Sequence, residues 1–324
     1  MIRRQAVFSV SLVAVLWGLP PLFIHYFALY LDAHTQNFWR YVSALLFLLV
    51  YLWWSGERLS GGGWRALTRP AVAAAGLVSY QTCFTLSLYY AMPALISLLL
   101  QLELVVAIAL SCLFFADERR VARSGWFIAG ACAAFLGAVG MVVFSREFAA
   151  GAAEPSSWGS FTAGVLLVGG AAVLWATYSV AIKWCFERMS PLSAFVRVEI
   201  IATGMLLVIA AAAGDLGAIA RLPAPIALLL VGSGVVCIAI AHLLYTPALH
   251  RLGVVVCNTV VLTSPVVAAV ASRIIFGERL TGGQMIAAIV LLGGAAAAVQ
   301  ARRGNGRRVP SDGAAENAGQ GALH

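Results

Sequence analysis

The sequence predicts an all-α membrane protein with ten transmembrane helices, arranged as two inverted five-helix repeats. Three observations lead there. The 324 residues are 62% hydrophobic and 10% charged, whereas soluble domains are about 45–50% apolar and about 25% charged. Apolar runs continue for about 20 residues and more, the length that crosses a bilayer as a helix. Short pieces of the first half return in the second at a nearly constant offset. A soluble fold of this size has too little charge here to cover its surface. A membrane β-barrel would alternate apolar and polar residues strand by strand.

Each span follows from the chain in order. Residues 7–30 form the first. This stretch is longer than the apolar region of a cleavable signal peptide, and no A-x-A-like site closes it, so it is expected to remain as a span. Gln36–Trp54 is the second, with Arg40 near its start. Pro70–Ala116 is too long for one crossing and divides at Met92-Pro93 into the third and fourth spans, with Glu103 as its sole charge. Ser124–Ser145, Pro155–Ile182, residues 192–213, Leu222–Leu249, Leu252–Ser272 and Leu280–Ala301 complete the ten. All are expected to be helical, because lipid cannot satisfy backbone N–H and C=O groups. The repeats are expected at residues 1–149 and 155–301, with a disordered tail over 302–324 that is rich in Gly, Ala, Asn and Ser.

Charge placement orients the bundle. With ten spans both termini share one side, and fifteen of the 21 Lys and Arg residues fall there. The positive-inside rule puts that side in the cytoplasm. The net charge of +8 is therefore a topology signal. The basic residues are scattered among short loops, which argues against a nucleic-acid face. The Arg302–Arg308 cluster is placed to attract anionic lipid.

The repeat is visible in three places. Ala14-Val-Leu-Trp17 returns as Ala172-Val-Leu-Trp175, Phe38-Trp-Arg40 as Phe195-Val-Arg197, and Glu118-Arg119 as Glu278-Arg279. Five spans per unit is an odd number, so the second unit enters the membrane with opposite orientation. Secondary transporters commonly use this build, with substrate near the midplane between the repeats.

These pieces also carry a resemblance. Trp17-Gly18 and Trp175-Ala176 stand in the first span of each unit, an Arg stands early in the second, and Phe276-Gly277-Glu278-Arg279-Leu280 follows the ninth span. The chain resembles the drug/metabolite transporter superfamily, EamA type, over about residues 6–301. The resemblance implies export or exchange of small metabolites, commonly amino acids, across the bacterial cytoplasmic membrane. Ala116-Asp117 stands where the second unit has Gly277, and Glu103-Leu104 where many members have Glu-Pro, with Ser264-Pro265 as its second-unit counterpart. These departures leave the subfamily open.

Candidate functional residues are polar or aromatic groups inside spans. A charge inside hydrocarbon is costly, so Glu103 comes first: it carries a proton or meets a substrate ammonium, or it serves helix packing. Gln101 competes with it. On an unbroken helix Gln101 shares a face with Ser97 and points about 160° away from Glu103. Arg40 and Arg197 are repeat partners that either bind a substrate carboxylate or snorkel to the interface, with Arg197 pairing locally with Glu199. Trp17, Trp175 with Tyr178, Tyr80 with Phe84, and His242 with Tyr245 either line a cavity for an amphipathic cargo or face lipid. Trp39, Trp53, Trp54, Trp64 and Trp126 fit an interfacial belt better. Gln81 and Asn258 either bind substrate or join neighbouring helices.

The pattern therefore points to a secondary transporter working by alternating access. Its cargo is expected to be amino acids or related amphipathic metabolites, with multidrug efflux as the alternative, and Glu103 is the candidate for proton coupling. The partners are a small molecule and the bilayer, with the chain a monomer or homodimer. No cofactor or metal is expected: the histidines and the six cysteines lack the spacing of a zinc site, and no P-loop lysine motif occurs. An intramembrane enzyme lacks a G-x-S-x-G or H-E-x-x-H set, and a channel lacks a filter segment.

Overall fold

The structure, a computed structural model, describes residues 2–57, 59, 67–114, 124–146, 148, 155–252, 257 and 260–306. In order, the helices are α1 (Ile2–Gly18), α2 (Pro20–Phe27), α3 (Ala33–Ser55), α4 (Thr68–Tyr90), α5 (Pro93–Leu100), α6 (Leu102–Phe114) and α7 (Gly125–Val143). The second half follows with α8 (Pro155–Phe186), α9 (Pro191–Ala213), α10 (Ala224–Gly234), α11 (Ala241–Leu252), α12 (Ser264–Phe276) and α13 (Gly282–Gly306). Among the described residues, eight helices or continuous helix pairs are long and apolar enough to cross a membrane. The shorter apolar helices Pro93–Ala107 and Ser264–Phe276 occupy the places of the fourth and ninth spans.

Local chemistry sets the helix ends. The Asp32 carboxylate caps α3, accepting from the His34 and Thr35 amides at 2.9 Å each. It also accepts from the Asp215 amide beyond α9 at 3.1 Å, which ties the start of the second span to the end of the seventh. Partial burial acts to raise the Asp32 carboxyl, and its hydrogen bonds from Thr35, Asp215 and His34 outweigh that, holding it below the ordinary value. The α4 chain stops where Ala91 and Met92 turn extended, and Pro93 opens α5 at a position that needs no N–H. Gly277 ends α12 in a left-handed conformation, φ +70°, that L side chains rarely adopt.

Four spans depart from a regular α-helix, and prolines at membrane depth, Pro20-Pro21, Pro247 and Pro265, mark three of them as interrupted in the sequence. The first breaks between α1 and α2, where Pro20 and Pro21 remove backbone donors. The fourth breaks at Gln101, and the ninth at Leu262-Thr263, the equivalent place one repeat later. The eighth carries a π-helical segment, Val235–Ile240, between α10 and α11. α13 runs on to Gly306, past the expected repeat end at 301, and residues 307–324 of the expected tail lie outside the described residues.

Helix packing follows the repeat. α4 lies along α8, and its repeat counterpart α11 lies along α1. α9 packs on α4, and correspondingly α3 packs on α10. α8 meets α6 as α1 meets α12, while α3 with α9 and α7 with α13 pair the same span of the two units. Exchanging the units leaves this set of contacts unchanged, as a two-fold relation requires. The α7–α13 pair packs backbone against backbone. A Cβ on Gly137 would lie 2.4 Å from the Leu291 nitrogen, and one on Gly294 would lie 2.3 Å from the Ala134 nitrogen. Small residues let backbones approach in this way where lipid offers no hydrophobic drive between helices. Gly137 is thus at the contact, whereas Gly293, beside Gly294, faces open space.

Gly137→Leu is therefore expected to separate α7 from α13 and lower the melting temperature in detergent by several degrees. Gly293→Leu is expected to leave it unchanged. Thermal unfolding of both variants checks the pairing.

Candidate functional site

The aromatic candidates gather into two groups, each built across the repeats. Trp17 of α1 meets the second unit's α11, with ring centroids 4.9 Å from Tyr245 and 5.4 Å from His242. Trp175 of α8 meets the first unit's α4, at 4.8 Å from Tyr80, and lies 5.2 Å from Tyr178. Tyr80 stacks on Phe84 at 5.7 Å, and Phe195 of α9 stacks on His242 at 4.4 Å. Phe84 and His242 are 158 residues apart, the same offset as the two tryptophans. The first-span tryptophan of each unit thus inserts against the third span of the other.

Glu103 interacts electrostatically with both groups. Its carboxylate is within reach of Tyr80 from one group and Tyr245 from the other. Its Oε2 atom is buried with no hydrogen-bond partner among the described residues. Such a group in low dielectric is costly unless a proton or a ligand meets it. Gln101 is placed differently. Its Nε2 donates to the Ser97 carbonyl at 3.3 Å, within its own helical turn. The break at Gln101 also removes the continuous helix on which the 160° separation from Glu103 depends.

Arg40 does not snorkel. It is 1% exposed, and its Nε donates to the Ser233 hydroxyl of α10 at 3.2 Å. Gly234 makes this crossing close: a Cβ there would lie 2.1 Å from the Arg40 carbonyl oxygen. A second guanidinium nitrogen, Nη1, is buried without a hydrogen-bond partner among the described residues. The π segment follows at once, and the His242 Nδ1–H donates to the Ile238 carbonyl within it at 2.7 Å. Wide turns of this kind often mark functional sites. Arg197, the repeat partner of Arg40, is only half-buried.

Glu199, which the sequence reading treats only as a local partner for Arg197, is 1% exposed and has a buried Oε2 without a hydrogen-bond partner. It lies within electrostatic reach of Tyr41 in the first unit and Tyr178 in the second. Its signal was a second carboxylate inside an apolar run, the feature that singled out Glu103. Gln81 joins helices. It donates to Asn37 Oδ1 at 3.1 Å and to Thr85 Oγ1 at 3.0 Å, and the Tyr41 hydroxyl donates to its Oε1 at 3.4 Å. Asn258 lies outside the described residues, as does Trp64. Trp53, Trp54 and Trp126 are exposed on the outer surface, while Trp39 is half-buried and its Nε1–H donates to the Leu216 carbonyl beyond α9 at 3.4 Å.

A helical bundle of two exchanged repeats, with buried charges and aromatic groups along their seam, defines a multi-pass membrane transporter. The family model described as the EamA-like transporter family matches twice, over residues 4–143 and 162–300. The chain belongs to that family, whose drug/metabolite-type members move small solutes. A solved structure described as "Crystal structure of protein" matches with a TM-score of 0.63 at 19% identity, covering 93% of this chain and 99% of the other. That likeness shows the fold. No curated protein matches the chain.

Gln81→Leu is expected to leave Asn37 under-bonded and cost about 1–3 kcal/mol of stability, read as a lower melting temperature. Its apparent affinity for cargo is expected to stay at the wild-type value. A large loss of affinity at unchanged stability would place Gln81 in the cargo site instead.

Proposed function

We propose that the chain exports amino acids or closely related amphipathic metabolites across the bacterial cytoplasmic membrane, with both termini in the cytoplasm. The observation that carries this reading is Glu103, which keeps a buried carboxylate oxygen without a hydrogen-bond partner among the described residues and is within electrostatic reach of a tyrosine from each aromatic group. An ammonium group would satisfy the carboxylate, and the rings would take an apolar or aromatic side chain. Arg40 Nη1 offers a donor of the opposite sign for a carboxylate. The set therefore suits a zwitterion with an apolar body. The orientation rests on the excess of Lys and Arg on one side.

Coupling follows from the same carboxylate. When cargo leaves, Glu103 stays buried beside Tyr80 and Tyr245, and a proton neutralises it at lower cost than desolvating the anion. Cargo and proton thus compete for one group, which makes the protein an antiporter. Units 1–149 and 155–301 rock against each other around the site, and the breaks at Gln101 and Leu262-Thr263 supply bending points in the fourth and ninth spans.

Proteoliposomes loaded with labelled phenylalanine or leucine are expected to release it faster than protein-free vesicles, and faster still when the receiving side is acidic. Glu103→Gln keeps the shape and removes the titrating group. It is expected to slow release about tenfold or more and to abolish its pH dependence. Release of cationic drugs but no amino acid would turn the reading to multidrug efflux. Unchanged transport and pH dependence in Glu103→Gln would remove the coupling role.

A further inference from the structure

We propose a second binding site, in the cavity beneath the corner that joins α12 to α13, for the oxyanion head of a small amphiphile. The cavity holds about 380 Å³, within the range of about 300–1,000 Å³ that small-molecule pockets occupy. Its wall is assembled from both repeats: Met92 and Leu95 at the start of α5 and Arg146 after α7 come from the first, and the Glu278–Leu280 corner with Gln284 of α13 from the second.

The polar side chains of the wall divide into committed and uncommitted. Glu278 Oε2 accepts from the Ala94 amide at 3.0 Å and the Ser272 hydroxyl at 2.5 Å. Its charge is spent on the open N–H groups of α5. Gln284 donates to the Met141 carbonyl at 3.2 Å and accepts from the Thr281 amide at 2.9 Å. Arg146 and Arg279 take part in no ion pair or side-chain hydrogen bond among the described residues. Both are exposed and border the same cavity from opposite repeats. Among the described residues, two guanidiniums and one committed carboxylate line the space, and forked N–H donors suit a carboxylate or phosphate. Met92, Leu95 and Leu280 form an apolar floor. An oxyanion with a short apolar body fits both parts.

This site is separate from the seam between the aromatic groups and does not require Glu103. Under the orientation proposed above, its arginines belong to the minority on the non-cytoplasmic side. Two sources present the required chemistry there: a free amphipathic carboxylate arriving from water, and the headgroup of an acidic phospholipid.

The test uses the full chain in phosphatidylcholine nanodiscs, with Arg146→Gln/Arg279→Gln as the variant and Arg273→Gln as an exposed arginine outside the cavity. One arm titrates N-acetylphenylalanine, an apolar carboxylate without an ammonium group, by calorimetry. The other measures retention of labelled phosphatidylglycerol by native mass spectrometry. At least one probe is expected to bind, to weaken about tenfold or more in the double variant, and to weaken with added salt. Arg273→Gln is expected to bind as wild type does. Binding of N-acetylphenylalanine assigns a free carboxylate, and binding of phosphatidylglycerol alone assigns a lipid headgroup. Failure of both probes to bind, or equal binding by a double variant with an unchanged melting temperature, overturns the proposal. Amino-acid release from proteoliposomes is read separately, so failure here leaves the transport reading standing.

Discussion

A charge withdrawn from water inside a bilayer has to be met within the protein, and the seam between the repeats is arranged around three such charges. Arg40 is sealed at the crossing of α3 with α10, where Ser233 takes one donor and Gly234 allows the backbones to approach. Glu103 and Glu199 each keep a buried carboxylate oxygen without a hydrogen-bond partner. Tyrosines stand among them: Tyr80 feels both Glu103 and Arg40, and Tyr41 feels both Glu199 and Arg40. The charges are costly to hold, and that cost is what gives a proton or a charged cargo its purchase on the bundle.

Duplication explains the rest of the seam. Each unit supplies a first-span tryptophan to the other unit's third span, so Trp17 rests on Tyr245 and His242 while Trp175 rests on Tyr80. The two aromatic groups are equivalent in position and different in chemistry, because His242 replaces Phe84 at the matching place. Glu103 has no charged counterpart, since the second unit carries Ser264 at the matching place. The fold is therefore nearly two-fold and the site is not. A two-fold scaffold allows two states of similar energy that open to opposite sides, and an asymmetric site lets cargo or a proton favour one of them.

The ten spans, the repeat and the aromatic groupings were legible because they are carried by composition and by offsets between like residues. Contacts between distant helices were not. Nothing local distinguishes Gly293 from Gly294, yet only Gly294 meets the Ala134 backbone. Arg40 and Arg197 look alike in sequence, and burial separates them because Ser233 lies opposite Arg40. The break at Gln101 carries no proline or glycine to announce it. Glu199 was visible as a charge in an apolar run, but its neighbour Arg197 drew it into a local pairing that the structure does not use for its buried oxygen. The specific motif around Glu278 was legible as a marker, and its work of capping α5 from the other repeat emerges only in three dimensions.

The central claim is that the seam holding Trp175 and Tyr80 opens alternately to the two sides of the membrane. The direct measurement places a single cysteine at Trp175, in a background with the six native cysteines replaced, and labels it with a membrane-impermeant thiol reagent from each side in turn. The account predicts labelling from both sides, slowed by cargo, and none at Leu207→Cys on the exposed outer face of α9. Labelling from one side alone, or from neither, would contradict it.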